Sequence, residues 1–372
     1  MEDLVTDAFW NGKRVFLTGH TGFKGSWLAL WLTQMGARVT GFSLPADEIS
    51  LFRQAGVEEL VEHVEGDIRD AAQLEQALVA ARPDVVFHLA AQPLVRLSYE
   101  CPAETFATNV QGTVHLLDAC RRVPGLKAVV CVTSDKCYEN REWVWPYRES
   151  DPMGGHDPYS ASKGAAELVV SAWRRSFFSA PGAAGIASVR AGNVIGGGDW
   201  AADRLLPDIV RALIAGEQPV IRSPGSIRPW QHLLEALGGY LMIAERIARG
   251  DAWAGTAWNF GPADDDTRPV SWIADEITAV WRAPGWINAA AASAGQPHEA
   301  KILKLDCSKA RTELGWRPAL TLKLALEWIV SWHVAVASGA DARSISLAQL
   351  SEYRELFRHT LMADAHSEKV PA

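Results

Sequence analysis

Short apolar runs alternate with longer segments of helical period through the first half of the chain. Arg14 to Thr18 is apolar and ends at Gly19. Lys24 to Gly36 then places Trp27, Leu28, Trp31 and Leu32 on one helical face. Arg38 to Ser43 reads as a second strand, and Val64 ends a third before Gly66. Asp70 to Ala81 reads as a helix with Asp70 as its cap. Asp84 to Leu89 is a fourth strand, a long helix is expected within Pro102 to Arg122, and Ala128 to Thr133 is a fifth strand. Pro158 suits the first position of the next helix, capped by Asp157, and Ile186 to Arg190 is a sixth strand. Such alternation predicts an α/β fold: a Rossmann-like, doubly wound parallel sheet with helices on both faces. The polar stretches follow the carboxyl ends of strands, where such sheets bind ligands.

Beyond Gly192 the pattern loosens. Gly196-Gly197-Gly198 is a turn, and prolines recur at 207, 219, 224 and 229. Helices are expected at Leu233 to Arg249, Val270 to Val280, Ser308 to Leu314, Leu322 to Val336 and Leu347 to Phe357, with a strand at Thr256 to Phe260. The domain reading is a nucleotide-binding unit at 1–192, rejoined by about 231–258, and a smaller C-terminal substrate-binding lobe at 193–230 and 259–372. Ala289 to Ser293 is a surface linker candidate.

Charge and cysteine usage narrow the classes. The net charge of −8 comes without a basic block, which argues against nucleic acid and anionic membrane as partners. No run is apolar enough to span a bilayer, and Met1-Glu2-Asp3 lacks the basic flank of a signal peptide. Cys101, Cys120, Cys131, Cys137 and Cys307 show no metal-binding spacing, so no metal is expected and reduced thiols in the cytoplasm are. Of the 16 tryptophans, Trp143, Trp145, Trp200 and Trp230 are the ones placed to line a site.

The first polar stretch is Gly19-His20-Thr21-Gly22-Phe23-Lys24-Gly25, between the first strand and first helix. Glycines there permit a tight turn and let backbone amides approach a pyrophosphate, whose charge the helix N-terminus stabilises. Gly19, Thr21, Gly22, Phe23 and Gly25 are therefore cofactor-binding candidates. An acidic residue should grip the adenosine ribose about 20 positions on. Here Ser43 stands nearest and Asp47 lies far along. No arginine follows the second strand to hold a 2′-phosphate, which favours NAD over NADP. Asp67 and Ile68 would flank the adenine, and Ala90, Ala91 and Gln92 would leave room near the nicotinamide.

The second candidate constellation is Thr133-Ser134-Asp135-Lys136-Cys137-Tyr138 with Pro158-Tyr159-Ser160-Ala161-Ser162-Lys163. Tyr159 and Lys163 share a helix face at four-residue spacing. A phenol beside an ammonium can serve as a base if its ordinary value near ~10 is lowered. His20 and His88 read as loop and core residues, His232 as a possible pocket residue, and Arg96 as a surface or phosphate-contacting one. Cys137 reads as a packed thiol.

With the glycine loop, Tyr159 and Lys163, the chain resembles the extended short-chain dehydrogenase/reductase superfamily over nearly its whole length. Thr133 to Tyr138 is similar to the acid-bearing motif of nucleotide-sugar 4,6-dehydratases, and Arg190-Ala-Gly-Asn-Val-Ile-Gly-Gly-Gly-Asp-Trp200 to their substrate-phosphate loop. Ile227 to His232, Trp258 to Pro262 and His298-Glu-Ala300 resemble the CDP-glucose-specific branch. The resemblance implies NAD as cofactor, with Thr133 joining the cofactor set, and CDP-glucose as substrate. It implies Tyr159 as base on the 4-hydroxyl, Lys163 on the nicotinamide ribose and lowering the Tyr159 pKa, and Ser134 bonded to the 4-hydroxyl. Asp135 becomes the acid for the departing 6-hydroxyl. Lys136 stands where dTDP-glucose relatives carry the glutamate base for C5; here it is either that base or a cation beside the enolate. Asn193, Arg204, Arg228 and His298 become substrate-binding candidates. A homodimer or dimer of dimers is implied, packed through Pro102 to Arg122 and Pro158 to Phe178. An epimerase on the same fold needs no acid–base pair after the serine, and a regulator that only binds NAD needs none of these groups.

Overall fold

A computed structural model describes residues 5–263, 266–290 and 302–367, with side chains described as far as 361. Its centre is a seven-stranded sheet in the order β3 (Glu62–Glu65), β2 (Arg38–Ser43), β1 (Arg14–Thr18), β4 (Val85–His88), β5 (Ala128–Val132), β6 (Gly185–Ala191) and β10 (Ala257–Phe260). Every pairing is parallel, with Val15 opposite Val39 and Val85 and Val129 opposite Ile186. β1, β4 and β5 are buried on both faces, as parallel strands between two helical layers must be. The strand order reverses beside β1, which opens a crevice at the carboxyl ends of β1 and β4.

Two apolar cores flank the sheet. One holds Trp27, Trp31, Leu237, Tyr240 and Tyr353, and the other Phe16, Phe42, Leu74, Leu78 and Leu117. The helix Phe23–Gln34 belongs wholly to the first core, with Gly25 to Leu32 buried all round rather than on one face. Its outer side is covered by the C-terminal helix Ala342–Ser367, where Trp31 meets Tyr353 edge to face at 5.6 Å. That helix is far longer than the apolar stretch Leu347 to Phe357 suggests.

The caps read from the sequence are in place. Asp70 accepts from the amides of Ala72 and Gln73, and Asp157 from the amide of Ser160. The expected Pro102–Arg122 helix is interrupted: a wide π-turn at Ala107–Gln111 separates Pro102–Phe106 from Gly112–Cys120. Beyond Gly192 the chain makes two small sheets that hydrophobic period does not predict: β11 (Thr267–Pro269), β9 (Ile227–His232) and β7 (Asn193–Ile195), and the pair β12 (Ile287–Asn288) and β8 (Val220–Ile221). Four of these strands have two or three residues, too few for a period to register, and the six-residue β9 is interrupted by Pro229 and does not alternate. A third core, with Ile209, Trp230, Ile273 and Leu326, lies beneath them.

Candidate active site

One cleft of about 1400 Å³ runs along the carboxyl ends of the strands and takes in both polar stretches. Its first wall is the glycine loop. Gly19 has φ +76°, and a Cβ there would lie 2.6 Å from the Ala90 amide nitrogen; one on Gly25 would lie 2.1 Å from the Gly19 carbonyl oxygen. Only glycine lets the loop fold this tightly. Gly22 caps the Phe23–Gln34 helix and makes no side-chain cap, so no side chain covers the first amides. They suit an anion drawn to the helix dipole. Thr21 donates to the Leu44 carbonyl at 3.0 Å, so the 2.7 Å bond with Ser43 is donated by Ser43, whose oxygen keeps lone pairs for a ribose hydroxyl. Asp67 and Ile68 line the cleft at the end of β3, with Asp67 paired to Arg69 and held below the usual carboxylate range by it. Ala90, Ala91 and Gln92 line it after β4. These features fit a dinucleotide.

Asn109, which no sequence motif singles out, fixes the far side. It sits in the π-turn, accepts from the Gln92 amide at 2.8 Å, and donates to the Gln92 carbonyl and the Ser162 hydroxyl. Its one sequence signal is an asparagine inside an otherwise regular helix, and π-turns recur at functional sites.

The candidate catalytic groups converge from two elements. Ser134 caps a short turn after β5; its oxygen accepts from the Lys136 amide, and its hydroxyl donates to Asp135 at 3.0 Å. Asp135 is buried, and desolvation raises its pKa against the opposing pull of Lys136, the Ser134 bond and Arg228. Lys136 is half-buried, lines the cleft, and makes no side-chain hydrogen bond or salt bridge among the described residues. From the helix Pro158–Ser176 come Tyr159 and Lys163, both buried. Burial pushes the Tyr159 phenol up to about 12; the Ser134 hydroxyl opposes this and the Asp135 charge adds to it. The lowering expected from Lys163 is absent from that balance, and the Lys163 ammonium instead reaches the Val132 carbonyl at 3.5 Å. Burial lowers Lys163 to about 8.

Thr133 lines the cleft, but its hydroxyl turns inward to Glu167 at 2.5 Å. Asn193 on β7, Arg228 on β9 and Arg204, paired with Asp199 at 3.0 Å, form the opposite wall. Arg96 reaches Asp203 at 3.1 Å across the cleft mouth, and Trp200 and Trp230 line the cleft. Trp143 stacks on Tyr147 instead, and Trp145 is exposed. His232 is no pocket residue: it is buried, caps the Leu233–Arg249 helix, and is pushed down to about 3 by burial. His298 lies outside the described residues. Cys137 is buried, with its thiol held well above its ordinary value. Lys24 joins the site unannounced by any motif. It lines the cleft, and burial, then the charges of Arg204 and Lys163, lower it to about 7. Its sequence signal is a lysine standing in a glycine loop.

A parallel nucleotide-binding sheet that presents a tyrosine–lysine pair beside a serine–aspartate–lysine turn defines a dehydratase-type site on a short-chain dehydrogenase fold. The chain belongs to the GDP-mannose 4,6 dehydratase family, whose model matches residues 16–327. Within it, the chain is 53% identical to a CDP-glucose 4,6-dehydratase of Salmonella typhimurium, over 94% of this chain and 98% of that one. It is 26% identical to a dTDP-glucose 4,6-dehydratase of Xanthomonas campestris, over 86% of this chain and 92% of that one. A UDP-glucose 4-epimerase structure from Thermotoga maritima superposes with a TM-score of 0.73 at 22% identity, covering 87% of this chain and 99% of that one. A Streptomyces venezuelae dTDP-glucose 4,6-dehydratase solved with NAD bound gives 0.71 at 23%, covering 88% and 99%.

Proposed function

We propose that the protein is an NAD-dependent CDP-glucose 4,6-dehydratase, a hydro-lyase that yields CDP-4-keto-6-deoxyglucose. The observation that carries this reading is the meeting of Tyr159 and Lys163 with Ser134, Asp135 and Lys136 in one cleft beside a glycine loop. Hydride transfer alone needs the tyrosine, lysine and serine. Loss of water across C5 and C6 also needs an acid and a base.

Gly19, Gly22, Gly25, Ser43 and Asp67 would hold NAD, with Lys163 on its nicotinamide ribose. When bound, NAD would supply the acceptor for the C4 hydride and the donor that returns it to C6. Tyr159 takes the 4-hydroxyl proton, with Ser134 bonded to the same oxygen. The resulting ketone acidifies C5–H, and Lys136 removes that proton. Asp135 gives its proton to the C6 oxygen, which leaves as water, and Lys136 returns its proton to C5 as C6 is reduced. Burial suits Asp135 to this, because an acid must hold its proton until the leaving group needs it. Asn193, Arg204 and Arg228 face the diphosphate, with His298 a further candidate.

Exposed Tyr99, Phe106 and Leu168 support a homodimer packed through the helices around Pro102–Cys120 and Pro158–Ser176. Five unpaired thiols suit a reducing compartment, and we assign the cytoplasm. No helix among the described residues is long and apolar enough to cross a membrane, and none of them forms a metal-binding cluster.

The test is to offer CDP-glucose, dTDP-glucose, UDP-glucose and GDP-mannose, with and without added NAD, and assay the 4-keto product. The expected result is turnover of CDP-glucose. Turnover of dTDP-glucose alone would keep the reaction and discard the base, and turnover of none would discard the dehydratase reading.

A further inference from the structure

Tyr159 and Lys163 continue into a third residue at the same spacing, Glu167, on the same face of the Pro158–Ser176 helix. Its carboxylate is buried and has no path to substrate; it is absent from the cleft lining. Three residues from two elements nevertheless converge on it. Thr133, the residue before Ser134, donates its hydroxyl to Oε1 at 2.5 Å. Ser188 on β6 donates to Oε2 at 2.7 Å, and Arg190 on β6 donates to both oxygens, at 2.9 and 2.7 Å. Arg190 also donates to the Tyr138 hydroxyl and the Glu149 carbonyl, so the turn carrying Ser134, Asp135 and Lys136 is held at both ends.

We infer that Glu167 is a positioning residue that locks the elimination turn to the redox helix and keeps Lys163 cationic. This rests on the dehydratase reading for the first part only; the second concerns the lysine alone. Burial opposes ionisation of Glu167, but Arg190, Thr133 and Ser188 outweigh it and hold the carboxyl below its ordinary value. The other groups facing Lys163 are Cys131 on β5, Cys137 after it, His88 on β4 and Lys24 in the glycine loop. Both thiols are held neutral, Cys131 at about 12 and Cys137 well above its ordinary value, and His88 is neutral at about 3. Lys24, when charged, repels. Among the described residues Glu167 is therefore the one anion that faces Lys163. A buried ammonium without it loses its proton at lower pH.

The experiment follows the Lys163 amine directly, by NMR of lysine-labelled protein, with the signal assigned by its loss in Lys163→Met. In Glu167→Gln the titration midpoint should fall by about one pH unit, and in Glu167→Asp it should stay near wild type. A midpoint unmoved in Glu167→Gln, with wild-type secondary structure, overturns the electrostatic part. Should the unpaired Arg190 prevent Glu167→Gln from folding, the midpoint in Glu167→Gln/Arg190→Gln decides, because neither buried charge is then left alone: a fall of about one pH unit supports the assignment, and an unmoved midpoint overturns it. For the positioning part, Thr133→Val removes the link and leaves both charges. Thr133 also lines the cleft, so the readout is the ratio of the two steps: elimination should slow about tenfold more than C4 oxidation, and reduced cofactor accumulates in the first turnover. Equal slowing of both steps, or of neither, overturns that part. Failure of wild-type enzyme to turn over CDP-glucose would refute the function, while the lysine titration would still decide whether Glu167 keeps Lys163 charged.

Discussion

At the scale of single residues, the site separates two jobs that one superfamily pair cannot do alone. In the proposed mechanism Tyr159 and Lys163 handle the proton and ribose at C4, and Asp135 and Lys136 handle C5 and C6. Their variants should therefore fail differently. Asp135→Asn should lower the rate of product formation by about 10²–10⁴ while C4 oxidation persists, seen as reduced cofactor that builds up and is not discharged. Lys136→Ala should abolish exchange of the C5 proton with solvent, followed by deuterium incorporation; normal exchange would assign that base elsewhere. The pH behaviour follows from burial. Lys163 is lowered to about 8, so the cation is lost as pH rises through that value, and activity should decline on the alkaline side there. The resemblance made these residue types legible in the sequence. It did not reveal that the Tyr159 phenol is raised to about 12 by its surroundings, because desolvation is a property of packing.

At the scale of elements, each candidate catalytic or cofactor-binding group is aimed by a local device. The Gly19–Gly25 loop exposes the amides of one helix, the Asp157 cap starts another, and a 3₁₀ turn presents Asp135. Gly25→Ala puts a methyl about 2.1 Å from the Gly19 carbonyl oxygen, which is backbone and cannot move aside. It should lower NAD affinity by at least tenfold, measured by calorimetry, and lower the unfolding temperature as well. The glycine loop and the caps were readable because their signals are local. The π-turn at Asn109 was not, because its wide geometry is maintained by partners from the Gln92 loop and the Tyr159 helix.

At the scale of the whole molecule, a carboxyl buried outside the cleft makes the stability of the fold depend on pH. Glu235 accepts from the Ala319 and Leu320 amides and the Tyr353 hydroxyl, joining a central helix to the C-terminal segments. Burial pushes its carboxyl up to about 7. The folded chain keeps a proton that the unfolded chain releases near ~4.3, so stability falls as pH rises from there through about 7. Glu235→Gln keeps an acceptor for both amides and can donate to Tyr353. It should match wild type in acid and unfold a few degrees higher above neutral pH, as thermal scans at both values would show. The exposed Leu168 lies on the outer face of the Tyr159 helix. Leu168→Glu should shift a dimer to monomer in sedimentation while leaving the cleft intact.

The order of strands and helices, the glycine loop and the spacing of Tyr159 and Lys163 are determined by the sequence, because periodicity, caps and glycine requirements act over a few neighbouring residues. The tertiary structure decided the rest. It set β10 beside β6, buried the first helix on every side, turned the Thr133 hydroxyl inward to Glu167, and brought Lys24 in among the acids and bases. These outcomes depend on which surfaces meet, and on the desolvation that meeting imposes, between residues as far apart in the chain as Glu235 and Tyr353.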